Sequence, residues 1–284
     1  VAPVVMDLNQ DGQLSYSQVV MDVDDDGHLD QTAWAGPQDG VLLHDRYGDG
    51  SVRSSSQFAF ARTAGETDLQ GLAAQFDGNQ DGLFDAYDTN FSEFGVWQDS
   101  NQNGVADAGE VRSLAELGIT SLNLSSDGVV RTPAPGVTEA GQTIATLTDG
   151  SSMLVGDVSF NFSALDYTLQ GDQLKLLGQD MKLDLSSLLA VHKDLNEVDL
   201  TGAGANTFKI NLSDVLDMAS DSGMQLLKLI GDEDDQVLLN AGEWTNSGNV
   251  VNQDGHAFAV FTGTHNDSTQ LLIDQQMLQS HQTG

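Results

Sequence analysis

Five times along this chain an aspartate is followed, five residues later, by a glycine, with acidic or amide side chains between them. The stretches are "DLNQDG" from Asp7, "DVDDDG" from Asp22, "DRYGDG" from Asp45, "DGNQDG" from Asp77 and "DSNQNG" from Asp99. A glycine at the sixth place permits a reversal that residues with a Cβ resist, and the reversal turns the side chains at places one, three and five toward a common point. No helix or sheet strand can run through such a turn. The pattern therefore breaks the first half of the chain into short segments, and the core has to be assembled from what lies between the breaks.

Converging oxygens suit a hard cation. Calcium takes six to eight of them, supplied by side chains at places one, three, five, nine and twelve and by a carbonyl at place seven. The loop from Asp99 meets every requirement, with Asp99, Asn101, Asn103, the Val105 carbonyl, Asp107 and a bidentate Glu110 expected to open a helix. The loop from Asp77 offers Asp77, Asn79, Asp81, the Leu83 carbonyl, Asp85 and Asp88. Two earlier loops are incomplete: Asp7, Asn9, Asp11 and the Gln13 carbonyl end in Gln18, while Asp22, Asp24, Asp26, the His28 carbonyl and Asp30 end in Ala33. Each needs a further ligand from elsewhere or from water. In the last, Asp45 and Asp49 survive, but Tyr47 and Arg53 stand at places three and nine, the mark of a decayed copy kept as a turn. About four calcium ions are expected, and a fifth if that copy still binds.

Composition points the same way. The chain has 43 Asp and Glu against 10 Lys and Arg, a formal charge of −33 in 284 residues. That balance excludes nucleic acid and disfavours anionic membrane surfaces, leaving cations as the natural partners. Two like charges 4 Å apart repel by roughly 4 kcal/mol at an effective dielectric of 20, so bare loops would strain the fold that carries them. Hydrophobic residues make up 39%, enough for a packed core, and no apolar run reaches the length of a membrane span, so no membrane insertion is expected. The first residues have neither the charge nor the length of a signal peptide, as if the piece were cut from a longer chain with flanking domains. Cysteine is absent, which removes disulfides and thiolate chemistry. The histidines (His28, His44, His192, His256, His265, His281) have no ligand spacing for zinc, and no hydrolase motif accompanies the serines.

The basic residues divide the chain. Arginines alone occur up to Arg131 and lysines alone from Lys175, so two modules, 1–165 and 166–284, are expected with a boundary near Asp166. In the first, "DLQGLAAQF" (Asp68–Phe76) and "EVRSLAELG" (Glu110–Gly118) have helical spacing, Phe91, Phe94 and Trp97 are expected to pack between the two strongest loops, and Arg131–Ser163 reads as short strands. The second reads as short strands, including "MKLDLSSLL", with a helix at "LSDVLDMA" (Leu212–Ala219). Its acidic "GDEDDQVLL" reads as a solvated turn, with calcium as the alternative. The expected class is α+β: a calcium-loop-rich domain of short helices and strands, followed by a mostly β domain.

The stretches "PVVMDLNQDG", "DVDDDGHLDQTAWAGPQDGVLLHDRYGDG", "FDGNQDGLFDAYDTNFSEFGVWQDSNQNGVADAGEVRSLAELGITSLNL" and "MLVGDVSF" together resemble the calcium-dependent self-processing module of iron-regulated RTX proteins and large RTX adhesins. The second module looks like a β-rich segment near the C-terminal end of large type-I-secreted adhesins. The resemblance implies an extracellular or cell-surface location and cleavage of an Asp-Pro bond at the module's N-terminal edge. In that reaction the Asp carboxylate attacks its own peptide carbonyl, the proline nitrogen leaves, and water or a lysine amine of another protein opens the resulting anhydride. Pro3 matches the proline. Ala2 stands where the aspartate would be, so the chain as written is expected not to cut itself, and a calcium-rigidified structural or ligand-binding adhesion segment is the alternative reading.

Overall fold

The computed structural model describes residues 1–202, 204–218 and 225–279. Contacts divide the chain into two compact units, Val1–Ser163 and Ala164–Gly284, and each is described by itself.

In the first unit the acidic loops separate strands rather than helices. These are β1 (Val4–Met6), β2 (Tyr16–Met21), β3 (Asp30–Ala35), β4 (Gly40–His44), β5 (Leu83–Asp85), β6 (Phe94–Trp97), β7 (Val111–Ser113), β8 (Ile119–Asn123), β9 (Val137–Leu147) and β10 (Ser152–Phe160), with one helix, α1 (Asp68–Phe76). Eight of the strands form one sheet in the order β5-β8-β9-β10-β1-β4-β6-β7, antiparallel throughout. The hairpin of β2 and β3 belongs to a smaller sheet edged by β11 (Phe162–Ala164).

Because strand side chains alternate, the large sheet buries both faces. Val4 and Met6 of β1 join Phe84, Phe94 and the Leu69 and Leu72 of α1 on one side. Val5 joins Trp34, Phe58, Trp97 and Phe160 on the other. A strand covered on both faces has no room for polar residues, which explains the unbroken "VVM" of β1 at the centre. The proposed aromatic cluster is corrected by the same alternation: Phe94 and Trp97 lie three apart on β6, face opposite ways, and serve different cores.

The second unit, also mostly β, coils. Its strands are β12 (Tyr167–Gln170), β13 (Gln173–Leu176), β14 (Lys182–Asp184), β15 (Glu197–Asp199), β16 (Thr207–Ile210), β17 (Gln225–Ile230), β18 (Gln236–Leu239), β19 (Trp244–Gln253), β20 (His256–Gly263) and β21 (Asn266–Asp274). The strands β13, β15, β17 and β21 stack in parallel in one sheet, while β14, β16 and β18 stack in parallel in a second. The chain alternates between the two, and the helices α2 (Leu185–Val191) and α3 (Leu212–Leu216) follow two of the second-sheet strands. Leu174, Val198 and Leu229 sit in register and are buried, forming one ladder of the interior.

The α+β expectation is thus overturned. Among the described residues 21 strands stand against four short α-helices, and the protein is mostly β. The expected helix at Glu110–Gly118 is instead β7 followed by a turn, because pairing with β6 claims its backbone. Arg131–Ser163 holds a long hairpin of 11 and 9 residues rather than short strands. "MKLDLSSLL" changes from strand to helix at Asp184, whose side chain caps the Ser186 N–H. The turn "GDEDDQVLL" is only partly solvated, since Asp235 is buried and accepts the Asn206 N–H. Ala219 and His281 lie outside the described residues.

Candidate metal centres and the N-terminal edge

The five loops share one geometry. In each, the first-place aspartate folds over the turn and accepts the N–H of the sixth-place glycine, at 2.8–3.1 Å: Asp7 from Gly12, Asp22 from Gly27, Asp45 from Gly50, Asp77 from Gly82 and Asp99 from Gly104. The fifth-place side chain accepts the seventh N–H, from Asp11 to Gln13, Asp26 to His28, Asp49 to Ser51, Asp81 to Leu83 and Asn103 to Val105. These bonds hold the reversal in place. The glycines take φ between 69° and 84°, and the fourth residues Gln10, Asp25, Gly48, Gln80 and Gln102 are also left-handed.

The closing carboxylates show which loops can complete a shell. Glu110 reaches back across its loop, with Oε1 accepting the Ser100 N–H and Oε2 the Asp107 N–H, which are places two and nine. Asp88 makes the same pair of bonds, to Gly78 and Asp85. Asp107 draws in Asn101 and Asn103 at 2.8 and 2.9 Å, so places three, five and nine converge. In the loop from Asp22 the ninth residue takes over: Asp30 accepts the second-place N–H of Val23, and Asp22, Asp24 and Asp30 bring one oxygen each within 4.8 Å of one another. They are the one such carboxylate group among the described residues.

The loop from Asp7 borrows its closing residue. Gln18 lies in β2, and Asp39, just before β4, accepts the ninth-place N–H and hydroxyl of Ser15 at 2.7 and 2.6 Å through Oδ2. Its Oδ1 is buried and has no partner. An orphaned carboxylate oxygen beside Asp7 and Asp11 is a donor that a cation would satisfy. Sequence spacing missed Asp39 because it lies outside the twelve-residue window; the only local signal was an aspartate in the turn "GPQDG" soon after a loop lacking its closing acid.

The loop from Asp45 has substituted its own cation. Arg53, at place nine, donates to Asp49 and stacks its guanidinium 4.0 Å above the Tyr47 ring. Asp49 is accordingly held below the usual carboxylate range, first by the Ser51 hydroxyl and N–H and then by Arg53. Elsewhere the strain runs the other way: burial and then the Glu110 charge push Asp99 up to about 7 despite its backbone hydrogen bonds, and burial raises Asp30 and Asp39. Hard oxygens, inward geometry and carboxylates driven toward protonation all fit a divalent cation.

At the N-terminal edge, Val1–Pro3 prolongs β1 along β10. Val1 and Phe160 exchange hydrogen bonds, and the Val158 N–H donates to the Pro3 carbonyl. Pro3 is buried and Ala2 half-buried, beside an open cavity of about 580 Å³ lined by Val1, Ala2, Ser159, Phe160, Asn161 and Phe162. Next along, Val4 faces Asp157, a buried carboxylate on which α1 docks: Asp157 Oδ1 accepts the N–H groups of Asp68 and Leu69. Asp68 is itself fully buried, with Oδ1 accepting from Phe60 and Ala61 and Oδ2 unpartnered. Neither carboxylate stood out in the sequence, for each occurs alone in an otherwise ordinary strand or helix.

Comparison with known proteins bears on both features. The SPM domain family matches residues 4–161, the span that holds all five loops and every strand of the large sheet. A relative, the iron-regulated protein FrpA of Neisseria meningitidis serogroup C, is 31% identical over 218 residues, which is 73% of this chain and 20% of that protein. The chain thus spans only about a fifth of the relative's length. With more than half of its residues inside the matched span, the chain belongs to the SPM domain family.

Proposed function

We propose that residues 1–163 form a calcium-folded module on the plan of a self-processing domain, held in a non-cleaving form by Ala2, and that the coiled unit is a β-rich extracellular segment of the same RTX-type adhesin. The single observation that carries the calcium reading is the repeated loop geometry, in which acid and amide side chains are drawn inward around five turns and four of these are closed by a carboxylate. Asp7, Asn9, Asp11 and Asp39 would hold one ion, Asp22, Asp24, Asp26 and Asp30 a second, Asp77, Asn79, Asp81, Asp85 and Asp88 a third, and Asp99, Asn101, Asn103, Asp107 and Glu110 a fourth. Calcium bound there neutralises the converging carboxylates. Arg53 does that work in the remaining loop.

The processing half of the reading rests on the resemblance and on the edge geometry. Pro3 is held on β10 by the Val158 N–H, which donates to its carbonyl, just before β1 enters the sheet, so the peptide bond before it is presented in one orientation. An aspartate at position 2 would supply the carboxylate that attacks the residue 2 carbonyl, and water or a lysine amine entering from the neighbouring cavity would open the anhydride. Ala2 removes the nucleophile and favours the structural role for the chain as it stands. The test is circular dichroism and melting during chelation: loss of the cooperative transition is expected, and an unchanged melting temperature without calcium would overturn the reading.

A further inference from the structure

Position 2 lies on the same face of the sheet as two buried carboxylates. In the antiparallel pairing of β1 with β10, Val1 and Pro3 occupy hydrogen-bonded places, so Ala2 opposite Ser159 and Val4 opposite Asp157 are the close, non-hydrogen-bonded pairs. Side chains two apart share a face, which puts Ala2 with Val4 and Asp157 on the α1 side and Val1 with Val5, Val158 and Phe160 on the other. The packing agrees: Val4 belongs to the core with Leu69 and Leu72, whereas Val5, Val158 and Phe160, with Val1 against them, belong to the opposite one. The first turn of α1 covers that face, anchored on Asp157 through the Asp68 and Leu69 N–H groups. Burial lowers the proton affinity of the Val1 ammonium, and the Asp68 charge leads those that oppose it, ahead of Asp24 and Asp30.

Resting on the self-processing reading above, we infer that Asp68 is the general acid of the Asp-Pro cleavage this edge is built for, with Asp157 as its positioning residue. Breaking a proline amide requires a proton on the departing nitrogen, and the attacking carboxylate, which must be ionised, cannot deliver it. Asp68 has one oxygen saturated by two backbone N–H groups and the other buried and unpartnered, an arrangement that leaves Oδ2 to hold a proton. The groups facing it agree. Burial raises Asp68 to about 7 against its two backbone hydrogen bonds, Asp157 adds to the rise, and Arg62 opposes it weakly. A carboxylate at position 2 would add a further negative charge to this face, and neighbouring carboxyls with separated affinities divide into an ionised and a protonated partner.

The step balances. The position 2 side-chain oxygen bonds to its own backbone carbonyl carbon, the C–N bond to Pro3 breaks, and the Asp68 proton passes to the Pro3 nitrogen, leaving a cyclic anhydride, a free secondary amine and an ionised Asp68. When water opens the anhydride, one of its protons returns to Asp68 and the other is taken up by the freed proline amine, leaving both carboxyls of residue 2 ionised.

The experiment uses the whole chain carrying Ala2→Asp, with intact mass followed over time in calcium across pH 5–9. Loss of the residues before Pro3 is expected, with a rate that falls as pH rises through about 7, because the donor must be in its acid form. Adding Asp68→Asn keeps the shape and the acceptor for Phe60 and Ala61, and should slow cleavage by about 10²-fold or more and abolish the fall above pH 7. A merely structural Asp68 would slow the reaction equally at every pH. Undiminished cutting by the double variant would overturn the acid while leaving the processing reading intact, whereas a folded, calcium-loaded Ala2→Asp chain that stays whole would overturn both. Should the double variant fail to fold, the pH profile of Ala2→Asp alone decides: a rate flat from pH 6 to 9 rejects the inference.

Discussion

Asp39 and Arg53 show what a single side chain can change within a repeated loop. Asp39→Ala should lower the calcium-loaded melting temperature more than Asp45→Ala, since the first removes a closing carboxylate and the second leaves a loop already neutralised from within. Differential scanning calorimetry in excess calcium distinguishes them, and equal losses would mean the borrowed ligand has been misassigned. Asp68 gives a prediction with a definite sign. Its folded affinity for a proton is raised, so the folded state binds more protons than the unfolded one between pH 4 and about 7, and stability falls across that window by up to about 1.4 kcal/mol per unit. Asp68→Asn removes the slope, so the stability of the variant relative to the parent should improve as pH rises from 4 to 7. First-place aspartates and sixth-place glycines were legible because turn chemistry is local. Asp39, Asp68 and Asp157 were not, because their roles come from residues far away in sequence.

At the level of elements, α1 was legible to the residue: Thr67 and Gln70 form a reciprocal capping box, and the apolar spacing that follows is helical. The stretch after Glu110 has equally helical spacing and is a three-residue strand followed by a turn. The reason lies in its neighbour, for Gly95 of β6 has no Cβ and lets the Arg112 carbonyl come to 2.6 Å from where one would sit. Close backbone pairing overrides a weak local preference. The same close approach governs Gly71 within α1. Alanine usually stabilises a helix interior by roughly 0.5–1 kcal/mol relative to glycine, yet a Cβ at position 71 would lie 2.2 Å from the Phe60 carbonyl oxygen. Gly71→Ala should therefore destabilise, measured by urea titration, and a gain in stability would show that α1 can shift away from its bed. The second unit's coils were invisible because their pairing joins segments 24 to 31 residues apart, and each strand alone reads only as a short apolar alternation.

For the molecule as a whole, a net charge of −33 sets the terms. Free calcium at a thousand times a site's dissociation constant adds about 4 kcal/mol through that site, comparable to much of a domain's net stability. Magnesium demands compact octahedral geometry and holds its water, so it should restore little of the melting transition lost on chelation; equal recovery with both ions would point to loose counterions rather than shaped sites. The position of β1 has a further consequence, one of timing. It comes first among the strands of this module, yet it is completed only by β4 and by β10, whose Phe160 bonds back to Val1 across 159 residues. Until that last strand arrives, Pro3 has no register and α1 has no Asp157 to dock on. A module broken off before β10 leaves β1 half-paired, so this edge takes its shape only when the whole span from β1 to β10 is present.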